Sequence, residues 1–373
     1  MVTKKLHKKQ LHIVSFDVPF PANYGGVIDV FYKIKSLHRE RVGVVLHCFQ
    51  YGREKSKELE SICEKVYYYK RKMNWLGFFS KTPFIVYSRK NKELFQNLMK
   101  DDFPIIFEGI HTTASISKIN KKRTFIRSHN IEWEYYKNLL ISEKNLFKKF
   151  FFWVEHIKLK FYETKIYKDQ NVLAISEKDQ KWLINNGANA VLVNPFHRNE
   201  SIKILKKTDD YVLYHGNFNV RDNEDAAMYF IELFKFLPIK LKIAGLNPSK
   251  KMKSSALGCN NITVIDSPQD QKMIQLIRDA RLNLFYSAHS SGVKLKLINA
   301  LFNAQRCLVS HEFLVNSDLS LMCISVDQAN WKGKIEDEFN RNFNIEMIKN
   351  RKEILNNYSC SFNINKVCRF IFQ

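Results

Sequence analysis

Apolar runs of strand length alternate with segments of helical periodicity along most of this chain. Residues 11–16 and 42–49 are two such runs, and residues 27–37 between them carry apolar side chains at the spacing of one helix face. A strand, a helix and a second strand in this order predict a βαβ unit with parallel strands. The first loop, residues 17–26, then follows the carboxyl end of a strand, where open parallel sheets bind ligands.

The alternation continues through both halves of the chain. It predicts further strands at 104–107, 124–127, 172–175, 190–193, 211–215, 241–244, 262–265, 282–286 and 306–310. A long helical region is predicted over 131–168, and Ser176 and Gly187 have the chemistry of an N-cap and a C-terminal stop for the helix between them.

Two successive series of this kind predict an α/β protein with two Rossmann-like domains that face each other across a cleft. We place the first domain at 1–195, a polar, lysine-rich linker at 196–210 and the second domain at 211–340. Residues 341–373 are predicted to form a helical segment that can pack back on the first domain.

A small-residue loop in the second half precedes a helix that opens with lysines. Gly292 lies in the loop, and Lys294 and Lys296 follow it. Free backbone N–H groups and a positive helix end favour phosphate at such a place. Lysines two positions apart point in different directions on a helix, so we expect only one of them to contact the anion. An ordinary βα connection with solvated lysines has the same pattern.

Composition narrows the functional classes. The chain has 373 residues and a formal charge of +23, so an anionic partner is expected. The lysines are spread along the whole sequence without a nucleic-acid-binding motif, which argues against nucleic acid. Seven scattered cysteines without a Cys-x-x-Cys pair, and an N-terminus without an apolar leader, predict a cytoplasmic protein with reduced thiols.

Several short motifs, taken in order, resemble bacterial glycosyltransferases of the GT-B class, near the large retaining group that uses nucleotide-sugars. They are Pro-x-x-Tyr-Gly-Gly at 21–26, Arg-x-His-Asn-x-Glu at 127–132, Ala-Ile-Ser-Glu at 174–177, Gly216 before Asp222-Asn223, Ala-Gly at 244–245, and Gly292-x-Lys-x-Lys before Asn299-Ala300. The resemblance covers almost the full chain.

The resemblance implies a metal-independent, hexosyltransferase-like enzyme in surface-polysaccharide assembly, with a glycan or lipid-linked glycan as acceptor. The nucleotide-sugar is a co-substrate, and no cofactor is expected. The donor would be held by the second domain, and the residues that match the donor site are Gly216, Asn217, Gly292, Lys294, Lys296 and Asn299. The acceptor or diphosphate loop of the first domain would comprise Tyr24, Gly25, Gly26, Asn130 and Glu132.

Three residues that follow predicted strands of the first half are candidates for catalysis. They are Asp17, His111 and His129. A carboxylate or an imidazole at a strand end can exchange a proton with a substrate, although each is more often a structural hydrogen-bonding group. The family's usual pair of glutamates is absent, since Ser291 and Asn299 stand in those places, so the retaining or inverting outcome stays open.

Alternatives to a transferase remain at this stage. One is a nucleotide-sugar epimerase or hydrolase on the same fold, and another is a non-enzymatic basic protein that binds a membrane or nucleic acid. The aromatic and basic segment 147–154 would suit an enzyme with a lipid-linked acceptor. It fits peripheral contact with an anionic membrane at its cytoplasmic face, but the pattern favours a core helix with lysines at its margin.

Overall fold

The chain divides into two compact units. The computed structural model describes residues 9–204, 207–287, 295–314, 318–342 and 346–373. The first unit comprises Met1–Arg198 and Tyr358–Gln373, and the second comprises Asn199–Asn357.

The first unit contains a seven-stranded parallel sheet of order β3-β2-β1-β4-β5-β6-β7. Its strands are β1 (Lys9–Ser15), β2 (Val42–Gln50), β3 (Lys65–Lys70), β4 (Ile105–Glu108), β5 (Thr124–Ser128), β6 (Asn171–Ala174) and β7 (Asn189–Leu192). The central strands are buried on both faces, as expected for strands covered by crossover helices. Strand order reverses between β1 and β4, so the loops after these strands diverge and leave room for a ligand.

Helices and 3-10 turns cover both faces of this sheet. The helices are α1 (Gly25–Arg39), α2 (Lys57–Ile62), α3 (Phe84–Tyr87), α4 (Lys92–Leu98), α5 (Glu132–Ser142), α6 (Leu146–Tyr167) and α7 (Glu177–Asn185), and the 3-10 turns are Trp75–Phe79, Ile110–Lys118 and Lys121–Arg123. The predicted N-cap of α7 is confirmed, because the Ser176 hydroxyl accepts the N–H of Asp179. Gly187, with φ of 82°, follows the end of this helix.

The second unit contains a six-stranded parallel sheet of order β10-β9-β8-β11-β12-β13. Its strands are β8 (Asp209–Asn217), β9 (Leu241–Leu246), β10 (Ile262–Asp266), β11 (Ala280–Phe285), β12 (Cys307–Ser310) and β13 (Ile324–Val326). Its helices are α8 (Arg221–Phe234), α9 (Lys250–Ala256), α10 (Asp270–Asp279), α11 (Leu295–Asn303), α12 (His311–Leu314), α13 (Trp331–Asn340) and α14 (Glu346–Asn356), with 3-10 turns at Asp318–Met322 and Gln328–Asn330.

The last helix, α15 (Cys360–Ile371), belongs to the first unit. Ile364 and Val367 are packed in the core beneath α1, and the Asn363 side chain accepts the N–H of Asn194 at 2.9 Å. In contrast, α14 is held in the second unit, where Arg351 donates to the carbonyls of Ala304 and Gln305. Residues 341–373, predicted as a helical segment, thus contribute α14 to the second unit and α15 to the first.

All predicted strands are present, with ends within two residues of their predicted places. The helical region predicted over 131–168 contains two helices, because Glu143 accepts the N–H groups of Lys144 and Asn145, and Asn145 then caps α6. The preference for a core helix over 147–154 is wrong for much of the segment: Phe147, Phe150 and Trp153 are exposed.

Candidate functional site

Five charged or titratable side chains form a buried cluster at the carboxyl edge of the first sheet. They are Asp29 and Lys33 from α1, Glu108 from the end of β4, Arg127 from β5 and His129 just beyond β5. All are at least nine-tenths buried. Ionised groups are rarely buried in this way unless each has a partner, so the contacts within the cluster decide its stability.

Each carboxylate of the cluster meets fixed donors. Arg127 donates to both oxygens of Asp29, at 3.0 Å and 2.8 Å. Lys33 Nζ lies 3.1 Å from Asp29 and 3.0 Å from Glu108. Burial alone would raise the pKa of Asp29, but the charges of Arg127 and Lys33 outweigh it and hold that pKa well below its ordinary value. Asp29 therefore stays ionised and pins α1 to β5.

Asp29, Glu108 and His129 also place possible metal-ligand atoms near one another. His129 Nε2 lies 3.0 Å from Glu108 Oε2, and its Nδ1 lies 3.9 Å from Asp29 Oδ2. Lys33 and Arg127, however, contact the same carboxylate oxygens that a cation would need. The donor set thus already has its compensating positive charge, and a metal ion fits this cluster poorly.

The aromatic ring of Phe16 lies between the two candidate histidines. Its centroid is 5.4 Å from the ring of His111 and 5.5 Å from that of His129. Burial, reinforced by the charge of Arg89, lowers the pKa of His111 well below its usual value, and its Nδ1 has no hydrogen-bond partner among the described residues. A neutral imidazole with a free nitrogen is suited to exchange a hydrogen bond with a substrate.

Asp17 and Tyr24 shape the loop between β1 and α1. Asp17 accepts the hydroxyl of Tyr24 and the N–H of Val18, each at 2.9 Å. The bonds occupy both carboxylate oxygens and favour a positioning role for Asp17. Gly26 lies within α1, where an added Cβ would come within 2.6 Å of the Phe16 ring. The preceding Gly25 is exposed at the start of the same helix.

Glu132, the first residue of α5, has a buried carboxyl group. Burial raises its pKa to about 7, against the hydrogen bond from Asn130 and the charge of Arg89, which lower it. A group that titrates near neutrality can take up and release a proton during a reaction. Its backbone N–H is capped by Glu163 of α6 at 3.0 Å, so the position of Glu132 is fixed.

A lysine and glycine-bearing turns mark the carboxyl edge of the second sheet. Gly216 and Asn217 end β8, and the Asn223 side chain of α8 donates to the Asn217 carbonyl at 2.9 Å. Lys296 Nζ, from α11, donates to the Asn223 side chain at 3.0 Å. Gly245 of β9 is required there, since an added Cβ would lie 1.8 Å from the Gly216 carbonyl oxygen.

His215 lies beside Lys296 at the same edge. Burial, with the positive charge of Lys296, lowers its pKa to about 3, so the ring is neutral at physiological pH. Its Nε2 is buried and has no partner among the described residues. A lysine, a neutral imidazole and closely packed backbone form a surface suited to an anion.

No protein-family model matches the chain. An uncharacterized 44.6 kDa protein in the cps region of Klebsiella pneumoniae is 26% identical over 314 residues, which is 78% of this chain and 80% of that protein. Similar solved structures include sucrose-phosphate synthase from Thermosynechococcus elongatus, with a TM-score of 0.67, 12% identity, and coverage of 98% and 99% of the two chains.

Two further structures extend the comparison. Anabaena HepE in complex with UDP and glucose has a TM-score of 0.62 and 12% identity, with 98% and 99% coverage. The lipopolysaccharide outer core galactosyltransferase WaaB in its apo form has a TM-score of 0.61 and 13% identity, with 97% and 99% coverage. The chain has the GT-B fold. The predicted resemblance to GT-B proteins is confirmed for the fold.

The GT-B framework brings most of the predicted first-unit residues together. Asp17, His111, His129 and Glu132 follow β1, β4 and β5 at one edge of the sheet. In the second unit, Asn299 accepts hydrogen bonds from the side chains of Asn199 and Asn303, which gives it a structural role within that unit. Gly292 and Lys294 lie outside the described residues.

Sequence reasoning missed Arg71 and Arg89, two arginines at the carboxyl edge of the first sheet. Arg89 is buried, and donates to the carbonyls of Phe16 and Ile85. Burial and the nearby charge of Arg71 lower the pKa of Arg89 to about 9. Neither arginine belongs to a motif. Asp29 and Lys33 did leave a signal, since charged residues four apart stand among the apolar positions that α1 buries.

Proposed function

We propose that the chain is a GT-B glycosyltransferase that moves a hexosyl group from a nucleotide-sugar to a glycan or lipid-linked glycan in bacterial surface-polysaccharide assembly. Support comes from the fold, from the UDP and glucose held by the similar HepE, and from the capsule (cps) region of the Klebsiella relative. The observation that carries the proposal is Lys296, which is held by Asn223 at the carboxyl edge of the second sheet.

Lys296 and the turn at Gly216 and Asn217 are proposed to hold the donor diphosphate. Transfer breaks the bond between the sugar C1 and the diphosphate oxygen, and the electron pair leaves with the diphosphate. A fixed positive charge that meets this developing negative charge lowers the barrier. The same arrangement lets the reaction proceed with protein cations in place of a metal ion.

The first unit is proposed to bind the acceptor and manage its proton. The acceptor hydroxyl oxygen forms the new bond to C1, and its proton has to leave. Glu132, whose pKa of about 7 suits a group that exchanges protons at neutral pH, is proposed to take it, and His111 and His129 to orient the sugars. Asp17 and Tyr24 then position the loop that receives the sugars.

Thermal stabilisation by UDP, GDP, CMP and their sugar conjugates tests the donor site. A ligand that binds the folded protein alone raises its stability by roughly 2.7 kcal/mol at a hundredfold excess over Kd. We expect one nucleotide class to stabilise the protein and Lys296→Ala to remove the effect. Lys235→Ala, which removes an exposed lysine paired with Glu232, is the matched control and should respond as the wild type does.

Product analysis separates the transferase from its alternative. Transfer requires that sugar leave the donor only when an acceptor glycan is present. Free or epimerised sugar formed without acceptor would instead identify an epimerase or hydrolase. If no nucleotide stabilises a correctly folded protein, both the transferase and the epimerase or hydrolase are contradicted.

A further inference from the structure

The longest helix of the described residues presents an apolar stripe to solvent. Leu146, Phe150, Trp153, Ile157 and Phe161 of α6 are all exposed, Phe161 by 74%, and the neighbouring Phe147 is 88% exposed. The spacings of four, three, four and four residues place the five side chains within about 80° of the helix circumference. A contiguous apolar surface of this kind on a folded protein marks an interaction site.

The opposite face of α6 is already fully engaged. Leu159 and Tyr167 are buried in the core of the first unit. Glu155 accepts the N–H of Phe84 at 2.5 Å, and Glu163 accepts the N–H groups of Glu132 and Trp133. The helix is thus fixed by its inner face, and the exposed stripe is not needed to hold it in place.

A second segment extends the stripe sideways. Met73, Leu76, Phe78 and Phe79, in and beside the 3-10 turn Trp75–Phe79, are exposed. The ring of Phe78 lies 5.4 Å from that of Phe151 of α6, and Lys158 donates to the Phe78 carbonyl at 2.7 Å. We call the combined surface, the α6 stripe with Phe147 and these four residues, the outer aromatic surface.

Exposed lysines flank the outer aromatic surface. Lys149 and Lys165 are exposed on α6, and helical geometry places them on opposite sides of the stripe. Lys72 and Lys81 are exposed at the two ends of the second segment. Between 144 and 162 the one acidic residue is Glu155, which is buried.

We propose that the outer aromatic surface docks on an anionic lipid bilayer, with α6 lying in the plane of the interface. An apolar stripe flanked by lysines is the pattern by which helices bind at the lipid headgroup boundary, and tryptophan is favoured at that depth. Anionic headgroups complement the flanking lysines, whereas a second copy would bring like charges together. No helix of the described ranges has the length and apolar character for a membrane crossing.

Co-sedimentation with vesicles tests the docking independently of any enzymatic activity. The wild type should bind phosphatidylcholine vesicles that contain phosphatidylglycerol much more strongly than pure phosphatidylcholine. The variant Phe147→Ser/Phe150→Ser/Phe161→Ser should weaken this binding by about tenfold or more. The control Phe236→Ser/Leu257→Ser/Leu321→Ser changes equally exposed apolar residues of the second unit and should leave binding unchanged.

Charge variants measure the electrostatic contribution to vesicle binding. Lys149→Gln/Lys165→Gln should weaken binding to anionic vesicles by about fivefold per lysine, with little effect on neutral ones. Lys240→Gln/Lys251→Gln, at exposed lysines of the second unit, is the control. Equal losses in both pairs would mean that net charge rather than this surface binds lipid, and would overturn the proposal.

Two further readouts complete the test. Melting temperatures of the serine variants should match the wild type, because the changed side chains are exposed. Light scattering measures the oligomeric state. A dimer that the Phe147→Ser/Phe150→Ser/Phe161→Ser variant abolishes, in a protein that binds no vesicles, would assign the surface to a second copy and refute membrane docking.

Discussion

The carboxyl edges of the two sheets occupy equivalent places in similar folds, yet they are built differently. The edge of the first sheet holds the buried cluster of Asp29, Lys33, Glu108, Arg127 and His129, in which charges compensate one another. Among the described residues, the edge of the second sheet has Lys296, the neutral His215 and tightly packed glycine backbone. Charged side chains thus determine the chemistry of the first edge, whereas closely packed backbone determines much of the shape of the second.

The difference indicates which interactions each edge can make with a ligand. A charge network whose members satisfy one another is rigid and has little charge left over, so it can orient side chains such as His129 without itself attracting ions. At the second edge, Lys296 and the backbone of the turn after β8 are the groups proposed to contact a phosphate. The contrast fits an acceptor at the first edge and a diphosphate at the second.

The largest expected loss of stability comes from disrupting the charge cluster at the edge of the first sheet. Arg127→Met removes both hydrogen bonds to Asp29 and leaves that carboxylate short of charge in the core. Removing one partner of a buried ion pair costs about 3–5 kcal/mol of unfolding free energy, which urea denaturation can measure. Arg221→Met breaks an exposed pair with Asp225 and should cost less than about 1 kcal/mol. Equal effects would show that the cluster is not the stabilising feature.

The second prediction concerns pH. Burial raises the pKa of Glu132 from the 4.5 of an ordinary glutamate to about 7, so the folded state favours the protonated form. Its contribution to stability is complete below pH 4.5 and is lost as the pH rises to about 7. The loss is on the order of 3 kcal/mol. Unfolding free energies of the wild type and Glu132→Gln, measured across this range, should diverge accordingly; parallel curves would contradict the shift.

The smallest expected effect compares two glycines of the second edge. Gly245→Ala forces a methyl against the Gly216 carbonyl oxygen, and overpacking of this kind costs about 1–3 kcal/mol. Gly216→Ala instead meets the Asn223 side chain at 3.0 Å, which can move. Thermal melts should therefore show a larger loss of melting temperature for Gly245→Ala than for Gly216→Ala.

The affinity for the nucleotide should instead fall in Gly216→Ala, because the added methyl group displaces Asn223, which holds Lys296. An unchanged affinity would show that Asn223 does not contribute to the donor site.

Much of the fold could be predicted because strands covered on both faces are continuous apolar runs. β3 was missed, since its Lys-Val-Tyr-Tyr-Tyr-Lys sequence is half-exposed at the sheet edge, and β13 has three residues. Histidines and carboxylates after strands could be identified as site candidates from chain order alone. Arg89 could not, because its burial beside Phe16 depends on residues 73 positions apart.

The return of α15 to the first unit has a consequence for synthesis. The second unit, Asn199–Asn357, is continuous in sequence, whereas the first needs Tyr358–Gln373 as well as Met1–Arg198. On the ribosome, the second unit can therefore fold while the first still lacks the helix that packs beneath α1 and bonds to Asn194. The apolar surface that α15 covers stays open until residues 358–373 have been made, so it is exposed to non-native contacts during that interval.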